Sequence, residues 1–151
     1  MATGQASATT LAQAAAQALR RGDPRGAREL FRQATASGQA NAAAWLGLAY
    51  ACHVLEDHVG ADGALERALA LEPRNPGALL LRADRLAAAG DHRAASSFYL
   101  AVVKSAAPAE HLPADLAAGV RRAEEARRRY AQEHEAGPRA RLAARGFDPA
   151  P

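Results

Sequence analysis

Apolar and small positions recur along this chain with a step of 34 residues. Leu11, Trp45 and Leu79 are one such series, and Phe31, Leu65 and Tyr99 are another. Ala15, Ala49 and Ala83 keep the same step, as do Ala34, Ala68 and Val102. The polar punctuation follows it too: Gly22, Glu56 and Gly90 are followed by Asp23, Asp57 and Asp91. Each unit reads as two helical stretches separated by that punctuation. A hairpin of this size cannot bury its apolar face alone, so neighbouring units must stack.

The pattern predicts the elements in turn. Residues 1–7 read as a disordered lead of small and polar residues. A first helix runs from Thr9 or Thr10, with a Thr as N-cap, to Arg21. Gly22-Asp23-Pro24 is the turn, and a second helix spans Pro24 to Ser37. Asn41 caps a third helix that reaches Leu55, and a fourth covers His58 to Leu71. Pro76 opens the fifth, which ends at Gly90, and Asp91 caps a sixth that reaches Ser105. Glu56 stands where the other two units have Gly, so its turn is expected to differ slightly. After a connector at 106–112, Pro113 opens a long helix to Glu135. That helix has Leu116, Val120, Ala123 and Tyr130 on one stripe and a charged opposite face. Gly137-Pro138 breaks it, a short helix follows to Arg145, and residues 147–151 form a non-helical tail.

Composition agrees with an all-α chain. Alanine, the best helix former, dominates; hydrophobic residues make up 49% and aromatics only 5%. The net charge of +3 hides an uneven distribution. Residues 1–41 carry five Arg against two acids, whereas residues 42–75 carry two Arg against five acids. Charges of mixed sign read as solvated helix faces rather than the basic stripe of a nucleic-acid binder. The longest apolar run, Ala42 to Leu55, contains His53 and is too short to span a bilayer. No charged and apolar leader pattern is present, so a soluble, cytoplasmic protein is expected. The single cysteine, Cys52, fits a reducing compartment and reads as a small buried hydrophobe.

The middle unit carries a family likeness. Trp45-x2-Leu48-Ala49-x2-Cys52, then Ala61-x3-Leu65, Ala68 and Pro73, resembles the tetratricopeptide repeat, with Ala for Gly and Cys for Tyr. The likeness implies three repeats, 8–41, 42–75 and 76–109, in a right-handed α-solenoid closed by a C-terminal capping helix, with a short C-terminal helix after it (113–146 together). The outer units depart from the pattern at Leu11, Ala14 and Arg82, as terminal repeats do. The resemblance also implies a concave groove lined by the first helix of each pair. Its large or polar positions here include Leu19, Arg20, Leu46, Tyr50, His53, Val54, Leu80 and Asp84, among small residues such as Ala12, Ala16 and Ala43. A protein or peptide segment held by apolar contacts at Leu46, Tyr50 and Leu80, with polarity set by Arg20, His53 and Asp84, is the implied ligand. Tyr50 and Leu46 have an alternative role, packing against the C-terminal helix. The Lys, Asn and Arg set with which related repeats clamp chaperone carboxylates is missing: Ala12, Ala16, Gly47, Gly77 and Leu81 stand there.

Catalytic chemistry finds little support. His53, His58, His92, His111 and His134 form no local metal motif, no phosphate loop occurs, and Gly-x-Ser-x-Gly is missing. No cofactor is expected. A second, narrower likeness lies at the C-terminal end. Leu112-Pro113-Ala114-Asp115-Leu116, Arg129-Tyr130 and Leu142 to Asp148 resemble the segment that precedes the oxygenase domain of bacterial aspartyl/asparaginyl β-hydroxylase family proteins. That likeness implies a non-catalytic, substrate-presenting accessory domain beside an iron- and 2-oxoglutarate-dependent enzyme. Three readings stand: a peptide-binding scaffold, such an accessory domain, and an oligomerisation module joining copies of the chain through exposed apolar surface.

Overall fold

A computed structural model describes residues 6–135 and 137–147. Their regular structure is entirely helical. Eight α-helices follow one another: α1 (Ala8–Arg20), α2 (Pro24–Ala36), α3 (Ala42–Val54), α4 (His58–Leu71), α5 (Pro76–Ala88), α6 (His92–Ser105), α7 (Ala114–Tyr130) and α8 (Pro138–Ala144). A 3-10 turn at Ala109–His111 interrupts the connector, and a π-helical turn at Ala131–Glu135 follows α7. No helix among the described residues is long and apolar enough to cross a membrane.

Three copies of one turn explain the 34-residue step. At each, the aspartate N–H reaches back five residues: Asp23 to Ala18, Asp57 to Cys52 and Asp91 to Leu86, at 2.9, 2.8 and 3.0 Å. The preceding residue donates to the carbonyl three back: Gly22 to Leu19, Glu56 to His53 and Gly90 to Ala87. This pair of bonds satisfies carbonyls that the end of a helix leaves open. It needs a left-handed residue, and Gly22 (φ 78°), Glu56 (φ 59°) and Gly90 (φ 87°) supply it. The turn at Glu56 is therefore the same turn, built on a residue that L stereochemistry disfavours there, and not a different one. Each aspartate then caps the next helix, accepting from Gly26, Gly60 and Ala94 through its carboxylate at 2.9, 3.0 and 3.1 Å.

Elsewhere the expected boundaries need small changes. Ser7, not a Thr, caps α1; its hydroxyl accepts from the Thr10 N–H at 3.1 Å. Residues 1–5 of the expected lead and 148–151 of the expected tail lie outside the described residues. The long helix loses α geometry at Tyr130, five residues before its expected end.

The chain divides into two units, 1–78 and 79–151, with the division inside α5. In the first, α1 packs on α2, α2 on α3 and α3 on α4, while α1 also touches α3. Its core is built from small residues, Ala15, Ala18, Ala27, Ala49 and Ala61, around Phe31 and Leu65. Gly47 lets α2 come close, because a Cβ there would collide with the Phe31 ring. Thr35 is buried, but its hydroxyl donates to the Phe31 carbonyl at 2.9 Å. In the second unit α7 lies on α6, burying Ala117, Val120 and Ala123, with its charged face outward. The short α8 rests on the π-helical turn.

Candidate functional site

The first unit presents an apolar face that its own helices leave open. Helix α3 is apolar all round. It buries Leu48, Ala49, Ala51 and Cys52, yet Tyr50 is 50% and Val54 48% exposed. Leu46, Tyr50, His53 and Val54 are at i, i+4, i+7 and i+8, so they share one stripe of the helix. Leu46 and His53 are half-buried. The Leu46 side chain lies against Gly77, 3.0 Å from where a Cβ would stand there, so part of its surface serves packing. The corresponding stripe on α1, one 34-residue step earlier, is Ala12, Ala16, Leu19 and Arg20; of these only Arg20 is exposed. A helix that is apolar on every side is normally enclosed. Here Tyr50 and Val54 face water.

Leu80 and Asp84 belong to the second unit, where the chain itself uses them. Leu80 lies on α7 at Gly119, and a Cβ at that glycine would meet the leucine side chain. Asp84 accepts from the Tyr99 hydroxyl at 2.7 Å and pairs with Arg122 of α7 at 2.7 Å. Burial raises the Tyr99 phenol most; the bond to Asp84 and its negative charge raise it further, and Arg122 acts in the opposite sense. Tyr99 therefore stays a donor at neutral pH. The structure brings Leu46, Tyr50 and His53 onto one helix face, with Arg20 on the adjoining α1. It commits Leu80 and Asp84 to holding α7. Tyr99 and Arg122, which organise that corner, carry no local sequence signal: they lie 15 and 38 residues from Asp84.

A second polar cluster joins α2 to the start of α4 in the first unit. Asp57 caps α4 and also draws Arg28 and Arg32 of α2 to 3.5 and 3.6 Å. Its carboxyl is held below the usual carboxylate range, chiefly by the Gly60 N–H, then by the Cys52 thiol and the two arginines, against the opposing effect of burial. The Cys52 thiol is pushed up by burial first and by Asp57 second. A buried thiol held in its protonated form is a poor nucleophile. Trp45, one of the apolar residues that recur at the 34-residue step, is only half-buried; the Arg67 guanidinium covers its ring at 4.9 Å from the centroid. Among the described residues no group of three or more His, Cys, Asp or Glu is placed to hold a metal ion.

Neither protein-family models nor curated protein sequences match this chain.

Proposed function

We propose that this chain is a tetratricopeptide-like scaffold that binds a protein or peptide segment on the face formed by α1 and α3. The observation that carries the reading is the open stripe of α3, where Tyr50 and Val54 stand half in water on an otherwise apolar helix. An aromatic ring and a branched aliphatic side chain on a rigid helix give contact area at small entropic cost. The alanines of α1 and α3 leave room beside them for another backbone. Support for the repeat reading comes from the turn that recurs at Asp23, Asp57 and Asp91 with the same bonds. In this reading the three helix pairs belong to one right-handed solenoid and α7 is its cap. The groove residues narrow to Tyr50, Val54, His53 and the open part of Leu46, with Arg20 at the edge.

A peptide-library screen on the whole chain tests the reading. Saturable binding by selected peptides should fall roughly tenfold or more in Tyr50→Ala/Val54→Ala, the loss expected when two central contacts are truncated. A folded, monomeric protein that selects no peptide would overturn it.

A further inference from the structure

Charge along the same face says what kind of segment it takes. This inference rests on the proposed binding face and adds the chemistry of its ligand. Helices α1 and α3 together contain no carboxylate at all: their sequences are ATTLAQAAAQALR and AAAWLGLAYACHV. The acids of the first unit lie instead in the turns and on α2 and α4. At the C-terminal end of α1 stand Arg20 and Arg21, both exposed. Among the described residues neither makes an ion pair. Arg20 belongs to the same stripe as Ala12, Ala16 and Leu19, and α1 touches α3. The face is thus apolar in the middle, small-residue along α1, and positive at one end.

We infer that the ligand is a segment of another protein with one or two aliphatic or aromatic side chains followed by carboxylates, its acidic end beside Arg20 and Arg21. Opposite charge at the rim sets orientation and rejects basic sequences, while Tyr50 and Val54 supply the contact area. A desolvated apolar centre strengthens the rim attraction, and salt weakens it.

The test uses two randomised 12-residue peptide libraries that share their apolar content, one allowing Asp and Glu and the other Lys and Arg. Binders should come from the acidic library. Their affinity should fall about fivefold in Arg20→Glu/Arg21→Glu, and should drop with added salt more steeply for the native protein than for the variant. Arg20→Gln/Arg21→Gln should give an intermediate loss. Because both arginines also complement the negative end of α1, circular dichroism of each variant must match the native protein. Equal recovery from the two libraries would overturn the charge inference and leave the apolar face standing. Recovery from neither would overturn the face itself. A mass that doubles with concentration and is reversed by Tyr50→Ala would replace the foreign segment with a second copy of this chain.

Discussion

Replacing Glu56 by glycine should make the protein more stable, although it deletes a whole side chain. Glu56 adopts φ 59° in a turn whose two counterparts, at 78° and 87°, are glycines. An L residue in the left-handed region costs roughly 1–2 kcal/mol, because its Cβ crowds the following carbonyl. Glycine avoids that cost but brings more backbone freedom to the unfolded chain, an opposing effect of roughly 0.5–1 kcal/mol. The net expectation for Glu56→Gly is a gain of about 0.5–1 kcal/mol. For a chain of this length that corresponds to a rise in Tm of roughly 1–4 °C. The mirror experiment is Gly22→Ala and Gly90→Ala. A Cβ at either position meets no atom within 4 Å, so crowding by neighbours contributes nothing and only the backbone conformation is charged. Each should lose about 1 kcal/mol. Urea unfolding followed at 222 nm measures all three, and an unchanged urea dependence shows that the unfolded state is comparable. Should Glu56→Gly prove neutral or destabilising while the two alanine variants lose stability, the assignment of strain to Glu56 is wrong. Should the alanine variants be neutral as well, the left-handed turn is not what punctuates the repeat.

Four further outcomes follow from the same packing and charges. Gly47→Ala should destabilise by about 1–3 kcal/mol despite its better helix propensity, and Phe31→Leu should recover part of the loss in the double variant, read from the urea midpoint. Asp57 is ionised more readily in the folded protein, so its contribution is complete at neutral pH and disappears as pH falls below about 4; the difference in Tm between the native protein and Asp57→Asn should shrink over that range. Tyr99 resists ionisation in the fold, so stability should decline as pH rises above about 10, and Tyr99→Phe should lack that decline. Cys52 should react with a thiol reagent in the native protein only at the rate of unfolding, and in full once urea is added.

Local chemistry made much of the fold legible. The Gly-Asp pairs at 22–23 and 90–91, the Pro after the first of them and the asparagine before α3 each fix a helix end within a few residues, and the structure keeps those ends. The N-cap of α1 was harder to read because Ser7, Thr9 and Thr10 all carry a β-hydroxyl, and only the exit geometry of the chain selects Ser7. The π-helical turn after Tyr130 has no proline or glycine to announce it; there Tyr130 stacks on His134 at 4.3 Å and Arg127 reaches Glu135 at 3.1 Å. The candidate face divides the same way. Tyr50 and Val54 are legible as surplus apolar residues on a helix that already has a buried side. Leu80 and Asp84 read alike from their place in the repeat, but their partners come from α7 across a connector that does not keep the 34-residue step. Periodicity can place a residue on a helix face; it cannot say which later helix returns to cover it.

The recurring turn also makes the chain divisible. Each aspartate reaches back five residues and forward four, so every bond of the turn lies within a window of ten residues. A cut just before Asp57 and another just before Asp91 would therefore pass through like surroundings. A chain in which residues 57–90 are duplicated in tandem would meet, at its new seam, the same backbone bonds and the same cap that the original has at Asp91. Lengthening by whole repeat units of 34 leaves the seams intact, whereas an insertion of any other length at those points separates the aspartate N–H from the carbonyl five residues back.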